Sequence, residues 1–273
     1  MHAQSSDIDH LTDEQVLGLC YAVPSEAWDK EESPTGMLPH ITSGIVAKSM
    51  LIPVDGMPSE ALILNLVHEA TNIPVPQVRR VVTSHFKAVI LMDYIPGARL
   101  SDVWHELSLF RKIRVAMTLR SYILQLRSIR HPRALIPGPM ASGNRAMTCW
   151  SPRIFGTMIE SRGPFASYDD LSSFFNTRQT MSLGASSELE NFDDSSHLVL
   201  VHHDLNMRNI ILGDDGQIWL IDWGWSGFYP PWWEYVSMKK QAEKNWAFMV
   251  LFIPFICDPF FRQDMWLKRM RRC

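Results

Sequence analysis

The sequence predicts an α+β fold with a small, β-rich first lobe and a larger, mainly helical second lobe. Short β-branched, apolar runs concentrate in the first third of the chain, and a long helical pattern follows at Phe110–Arg130. A further strand and a hairpin are predicted in residues 198–221. The chain has 273 residues, which suits two lobes around a cleft, and its hydrophobic content of 46% is ordinary for a globular protein.

Composition and charge exclude several classes of protein. The formal net charge of −3 gives no indication of a nucleic-acid partner. The N-terminal residues lack the pattern of a signal peptide, and the longest apolar stretch, residues 247–257, is too short to span a membrane. We predict that this stretch is a buried helix. The cysteines form no CxxC pair, so we expect a cytoplasmic setting without zinc or disulfides; they are Cys20, Cys149, Cys257 and Cys273.

The predicted first lobe spans residues 37–95 and follows an N-terminal helix and linker in residues 1–36. The pattern TDEQ at residues 12–15 is typical of a helix start with acids in its first turn. The β-branched run in residues 45–52 predicts a strand that carries Lys48. Taken alone, a lysine on a strand is usually solvated, so this position becomes informative only together with the residues downstream.

A helix is predicted next, at Pro58–Val67, with Ser59 as its cap and Glu60 in its first turn. An acid at this position has a simple alternative explanation, which is that it stabilises the start of the helix. The two prolines of Ile73–Val78 then force an extended entry into a strand. Ala88–Met92 has the pattern of a buried strand and ends in a turn.

The predicted second lobe comprises residues 96–273. Residues 176–197 are polar and are predicted to be the most mobile segment, and helices of mixed pattern are predicted for residues 235–270. The long helix at Phe110–Arg130 has one apolar face at spacings of three and four, formed by Ala116, Leu119, Ile123 and Leu126.

Residues 200–225 contain the polar groups on which the functional prediction depends. A buried strand, a polar loop and a hairpin with the turn sequence GDDG follow one another here. Three polar side chains therefore lie at the ends of neighbouring strands: Asp204, Asn209 and Asp222. Unpaired carboxylates at close range repel each other, and a hard cation relieves that repulsion. Oxygen ligands of this kind suit Mg²⁺ that holds a polyphosphate.

The order H-x-D-x4-N, a hairpin and then D-x-G resembles the catalytic and metal-binding loops of the aminoglycoside phosphotransferase (APH) family, also called the phosphotransferase enzyme family. The resemblance implies a two-lobed, protein-kinase-like fold. It also implies an ATP-dependent and Mg²⁺-dependent phosphotransferase that acts on a hydroxyl group of a small molecule. Three segments of the chain resemble fungal members of the family most closely: residues 73–76, 163–165 and 227–235.

The same resemblance implies a role for each matched residue. Asp204 accepts or orients the proton of the acceptor hydroxyl, while Asn209 and Asp222 hold Mg²⁺. Lys48 holds the α- and β-phosphates, and Glu60 orients Lys48. The adenine of ATP, with GTP as the alternative donor, lies against the backbone of the hinge between the lobes, which is formed by Asp93, Tyr94 and Ile95.

Departures from the family pattern leave alternatives open. No G-x-G-x-x-G precedes Lys48, where only Gly36 and Gly44 are available. A catalytically weak or inactive binding protein on the same fold is therefore the main alternative. A protein kinase is a less favoured alternative, because the chain lacks an APE-like segment after Asp222.

The sequence also indicates the chemical class of the acceptor. Basic residues outnumber acidic ones after Trp223, which argues against a polycationic aminoglycoside. We expect a small hydroxylated metabolite instead. Most aromatic residues of the run Trp225–Trp233 are predicted to be core residues that anchor this segment to the helical lobe. An aromatic-lined site around the run would suit a choline-like cation or an apolar natural product, with Trp232 or Glu234 as the candidate contact.

Overall fold

A computed structural model describes eight segments of the chain. The N-terminal linker, including Gly36, and part of the apolar stretch in residues 247–257 lie outside them, so the predictions made for those residues are not addressed by the structure. The described residues are 6–22, 38–51, 57–84, 87–143, 145–156, 162–184, 190–245 and 249–270.

The first lobe is built on a four-stranded antiparallel sheet with the strand order β1-β2-β4-β3. Lys48 lies in the middle of β2, opposite Ile90 of β4. A helix, α3 (Ser59–Ala70), connects β2 to β3. The strands are β1 (His40–Thr42), β2 (Ile45–Leu51), β3 (Val78–Ser84) and β4 (Lys87–Asp93).

The two faces of this sheet are covered by different parts of the chain. Because side chains alternate along a strand, Val46 and Lys48 share the face that packs against α3 and the main core. The opposite face packs against the N-terminal helices α1 (Ser6–Asp9) and α2 (Asp13–Ala22). The predicted N-terminal helix is therefore an integral part of the first lobe. The residues of this second core are Ile8, Val16, Cys20, Ile45, Ala47, Val82, Val89 and Leu91.

Two helix starts in the first lobe test predictions about capping. Thr12 accepts a hydrogen bond from the Gln15 N–H, and the Gln15 side chain accepts one from the Thr12 N–H, so the predicted start of α2 is a capping box. The prediction that Ser59 caps α3 is wrong. Ser59 is already the first residue of α3, and the cap position is occupied by Pro58, whose side chain cannot accept a hydrogen bond.

The hinge leads directly into the second lobe through β5 (Gly97–Arg99), which pairs with the predicted hairpin. Gly97 has φ of 145°, and a Cβ there would lie only 2.8 Å from the Cα of Gly213, so this close approach requires glycine. The small sheets of this lobe have the orders β5-β7-β8 and β6-β9, formed by β6 (Val199–Val201), β7 (Ile210–Gly213), β8 (Ile218–Leu220) and β9 (Gly227–Tyr229).

Helices provide most of the second lobe. The long helix α5 buries the four apolar residues predicted for its inner face. Among the described residues, no helix is both long enough and apolar enough to cross a membrane. The helices are α4 (Leu100–Val103), α5 (Leu109–Ser128), α6 (Pro152–Phe155), α7 (Tyr168–Leu183), α8 (Trp232–Asn245), α9 (Ile253–Cys257) and α10 (Phe261–Arg269).

The structure adds to one prediction for the second lobe and contradicts another. Residues 176–183 belong to α7, which starts with a capping box at Ser167, and Phe192 is buried among aromatic rings that include Phe175 and Trp266. The polar composition of residues 176–197 did not indicate this helix or this aromatic packing, and the mobility of the segment stays a prediction. The stretch in residues 247–257 is not one continuous helix: the 3₁₀ turn Met249–Leu251 and α9 divide its described part.

Candidate active site

The loop between β6 and β7 fixes the carboxylate of Asp204 from several sides. Asn209 donates from Nδ2 to Asp204 Oδ2 at 2.9 Å, and Asn206 donates from Nδ2 to Oδ1 at 3.3 Å. A third amide donor, Nε2 of Gln241, reaches Oδ1 from α8. Donors on both oxygens orient the carboxylate and favour its ionised form. The sequence predicted the Asn209 position but gave no indication of Gln241.

His202 joins this loop to the segment that carries Asp222. Its Nδ1 accepts a hydrogen bond from the Asp204 N–H at 3.3 Å, and its Nε2 lies 3.1 Å from the carbonyl oxygen of Ile221. The proton therefore resides on Nε2, because the carbonyl can only accept. Burial lowers the pKa of His202 to about 4, so the ring is neutral near pH 7. A neutral, doubly bonded imidazole is suited to bracing two loops.

One residue in each of these two loops has a backbone conformation that is unfavourable for residues other than glycine. His203 has φ of 67° and Asp222 has φ of 65°, both in the left-handed region. Of the described non-glycine residues, only Asp258 shares this feature. Strain of this kind persists where the surrounding structure enforces it, and it concentrates at functional sites. Both candidate loops therefore have locally strained geometry.

Glu234 binds the backbone of the loop that carries Asp204. Its carboxylate accepts hydrogen bonds from the His202 N–H at 2.6 Å and from the His203 N–H at 3.2 Å. Only 2% of Glu234 is exposed, and burial raises its pKa to about 7. The prediction that Glu234 contacts the acceptor is therefore wrong, because its carboxylate is committed to the two residues before Asp204.

The predicted aromatic acceptor pocket is likewise not formed. Phe228, Tyr229 and Trp233 are fully buried in the core, and Trp232 is buried with its indole N–H donating to the Asp193 carbonyl. Only Trp225 in this run remains partly exposed among its aromatic residues. The run forms β9 and the start of α8, so its aromatic rings stabilise the lobe. These buried rings give no support to a choline-like acceptor.

Glu234→Gln should change how stability depends on pH. The raised pKa means that the folded protein retains a proton that the unfolded chain loses between pH 4.5 and about 7. Stability is therefore lost as pH rises through that window. From about pH 5 to about pH 8, the wild-type free energy of unfolding should fall by about 2 kcal/mol more than that of the variant. Denaturant titrations at several pH values measure this difference.

A matched control for this substitution is Glu69→Gln, which changes an exposed glutamate on α3. Its stability should follow the wild-type dependence on pH. If the free energy of unfolding depended on pH in the same way for the wild type and Glu234→Gln, Glu234 would be ionised over the whole range from about pH 5 to about pH 8.

Lys48, Glu60 and Asp222 form one buried ion cluster between the lobes. The Lys48 ammonium lies 2.5 Å from Glu60 Oε1 and 2.7 Å from Asp222 Oδ1. Burial alone would lower the pKa of Lys48, but the two carboxylates outweigh this effect and raise it, so the lysine stays charged. The backbone N–H of Trp223 also donates to Glu60 Oε1 at 3.1 Å. Glu60 therefore contacts both Lys48 and the segment after Asp222.

The side chains predicted to hold Mg²⁺ fit that role. The Asn209 amide directs Nδ2 at Asp204, so Oδ1 lies on the opposite side of the group. The Ile221 N–H donates to the Asn209 carbonyl at 3.0 Å, which brings the two loops side by side. The Asp222 side chain is 28% exposed and so is accessible to an ion.

The donor set is small, as is typical of Mg²⁺ bound together with a nucleotide. No described group of three or more His, Cys, Asp or Glu side chains is arranged to hold a metal. Mg²⁺ commonly uses one or two protein oxygen ligands and completes its shell with phosphates and water. One amide oxygen and one carboxylate fit this pattern.

The hinge is held in place by side-chain and backbone contacts. Arg79 makes a two-pronged ion pair with the Asp93 carboxylate at 2.6 and 2.9 Å. The Asp93 N–H donates to the Gln77 carbonyl, and the Tyr94 N–H donates to the Gly44 carbonyl. Because the N–H groups of Asp93 and Tyr94 already donate to carbonyls, the N–H of Ile95 is the candidate donor to adenine among the three hinge residues.

The chain is similar to known proteins in sequence and in fold. The model of the phosphotransferase enzyme family (APH) matches residues 52–249. Aminoglycoside phosphotransferase APH(3'')-Id from Streptomyces rimosus, solved with ADP and streptomycin, has a TM-score of 0.52 and 14% identity, covering 94% of this chain and 96% of that one. The gentamicin complex of APH(2")-IIa has a TM-score of 0.46 and 15% identity, covering 85% and 86%. No curated protein sequence matches the chain.

At these identities the structural likeness establishes the fold alone. The predicted fold class, a two-lobed protein-kinase-like α+β fold, is thereby confirmed.

Proposed function

The chain belongs to the phosphotransferase enzyme family, and from that premise we propose that it transfers the γ-phosphoryl group of Mg²⁺-ATP to a hydroxyl group of a small molecule. One observation carries the proposal. A lysine from the first lobe, Lys48, is bonded to Asp222 of the second lobe, and the loop beside Asp222 presents Asn209 and Asp204. Phosphoryl transfer depends mainly on such positioning of charges.

Each residue of the site has a distinct task in this proposal. Lys48 binds the α- and β-phosphates, and Glu60 keeps its ammonium directed into the cleft. Asn209 and Asp222 would hold Mg²⁺, which neutralises phosphate charge when bound. Asp204 accepts or orients the proton of the acceptor hydroxyl. The hinge backbone at Asp93, Tyr94 and Ile95 receives the adenine, with GTP as the alternative donor.

We propose a small hydroxylated metabolite as the acceptor. Solved relatives of similar fold bind streptomycin and gentamicin. The excess of basic over acidic residues after Trp223 disfavours a polycationic acceptor here. A panel of hydroxylated compounds with γ-labelled ATP tests this point, and phosphorylation of aminoglycosides alone would contradict it.

A binding protein without catalytic activity is the second candidate. The observation in its favour is the lack of a G-x-G-x-x-G sequence before Lys48; within the described residues, Gly44 lies in the tight turn between β1 and β2. The intact set of Asp204, Asn209 and Asp222 opposes it. The two candidates differ first in whether Mg²⁺-ATP binds firmly to this site, and then in whether the γ-phosphate of a bound nucleotide is transferred.

Thermal unfolding with and without Mg²⁺-ATP tests the proposed function. A ligand that binds only the folded state stabilises it by about 2.7 kcal/mol at a hundredfold excess over its Kd. We expect the melting temperature of the wild type to rise with Mg²⁺-ATP and the rise to be lost in Asp222→Asn. Asp214→Asn, on the exposed hairpin turn, should retain it. No rise in the wild type at millimolar nucleotide would favour the second candidate.

A further inference from the structure

Helix α8 contacts the catalytic loop at two separate points. Near its start, Glu234 binds the backbone of the two residues that precede Asp204. Two turns later, Gln241 donates from Nε2 to Asp204 Oδ1. Residues seven apart lie on the same face of a helix, so one face of α8 supports both the backbone and the side chain of this loop.

Gln241 is fixed in this position. Only 4% of the residue is exposed, and it is 37 residues away from Asp204 in sequence. The torsion that rotates a carboxylate about its own axis is broad and weakly restrained in the absence of partners. Asn209 holds Oδ2 and Asn206 reaches Oδ1 at 3.3 Å, both from within the loop, whereas Gln241 holds Oδ1 from a different element. Donors on both oxygens define the carboxylate plane.

The chemistry of an amide suits this task. A lysine or arginine at this position would pair with Asp204 and reduce its ability to accept a proton. The amide of Gln241 donates a hydrogen bond without a net charge. It orients the carboxylate and stabilises its ionised form, while the carboxylate keeps its negative charge.

We propose that Gln241 is a positioning residue that orients the Asp204 carboxylate toward the acceptor hydroxyl. This inference rests on the proposed function, in which Asp204 receives or orients the acceptor proton. Gln241 acts through Asp204, so its replacement should alter the rate and the pH dependence of the reaction while nucleotide binding is unchanged.

The test uses the full chain with Mg²⁺-ATP, and water serves as the acceptor. Gln241→Met keeps the length of the side chain and removes the donor. We expect kcat for phosphate release to fall about tenfold or more, the KM for ATP to be unchanged, and the acidic limb of the pH–rate profile to move to higher pH. Gln217→Met, which changes an exposed glutamine on the hairpin, is the matched control and should resemble the wild type.

Gln241→Glu provides a second, distinguishable signature. The introduced carboxylic acid donates to Asp204 when protonated and repels it when ionised. Activity of this variant should therefore approach that of the wild type at acidic pH and fall more steeply than that of Gln241→Met as pH rises. This variant also keeps the inference testable should Gln241→Met fail to fold.

A spectroscopic measurement gives a readout that does not depend on turnover. The ¹³C signal of the Asp204 carboxyl group, assigned by comparison with Asp204→Asn, should titrate at higher pH in Gln241→Met than in the wild type. An unchanged titration, or an unchanged kcat and pH profile, would overturn the inference. A higher kcat in Gln241→Met would also overturn it, because Gln241 would then compete with the acceptor.

Failure of this inference is distinguishable from failure of the proposed function. If Asp204→Asn retains wild-type phosphate release, the proposed role of Asp204 is itself wrong. If Asp204→Asn is inactive and Gln241→Met behaves as the wild type, only the role of Gln241 is wrong.

Discussion

Asp204→Asn is expected to lower the kcat of phosphoryl transfer about 10²-fold to 10⁴-fold. The substitution keeps the size of the side chain and one acceptor oxygen, but it removes the group that receives or orients the hydroxyl proton. Mg²⁺-ATP should still bind, because Lys48, Asn209 and Asp222 are unchanged. Steady-state phosphate release with water as the acceptor gives kcat, and a thermal shift with Mg²⁺-ATP reports binding.

Asp214→Asn is the matched control for this substitution, since Asp214 lies on the exposed turn of the same hairpin. It should leave both kcat and nucleotide binding at wild-type values. A kcat for Asp204→Asn within about twofold of the wild type would exclude proton acceptance by Asp204 as a large contribution to the rate.

Lys48→Met is expected to lower the free energy of unfolding by about 3 kcal/mol and to abolish the stabilisation by Mg²⁺-ATP. Lys48 is buried and contacts Glu60 and Asp222, so its removal leaves two carboxylates near each other without a compensating charge. Protonation of either carboxylate relieves this repulsion, and the loss of stability should therefore shrink as pH falls. Denaturant titrations with and without nucleotide measure both effects.

The matched control is Lys87→Met, which changes an exposed lysine at the start of β4. Its effect on stability should lie within about 0.5 kcal/mol. The raised pKa of Lys48 also sets the direction of the pH dependence in alkali. While both carboxylates are ionised, the stabilisation by Lys48 is fully present up to pH 10.5 and is lost as pH rises above that value. Equal changes in the free energy of unfolding for Lys48→Met and Lys87→Met would contradict a stabilising role of the buried ion cluster.

Secondary-structure elements with a clear local pattern were predictable from the sequence. The strand that bears Lys48, the long helix α5 and the hairpin before Asp222 follow from periodicity and turn residues, and all three occur in the structure. The pairing of Lys48 with Glu60 followed from the family resemblance, and the ion pair is present.

The contributions of α8 were not predictable, because they depend on how distant elements pack. Helical periodicity identified neither Glu234 as the partner of the loop backbone nor Gln241 as the partner of Asp204. Most aromatic residues of Trp225–Trp233 are buried in the core, as the sequence predicted, whereas the ligand site suggested around them was based on residue type alone. Residue type predicts what a side chain can contact, but tertiary packing decides whether it faces solvent or the interior.

Diffraction from crystals grown with Mn²⁺ and a non-hydrolysable ATP analogue tests most directly whether Asn209 and Asp222 hold the divalent ion beside the nucleotide. Mn²⁺ replaces Mg²⁺ at oxygen sites, and its anomalous signal locates it without ambiguity. We expect one anomalous peak within bonding distance of Asn209 Oδ1 and the Asp222 carboxylate, with the phosphates between this ion and Lys48. A nucleotide bound elsewhere, or an ion that contacts neither side chain, would contradict this expectation.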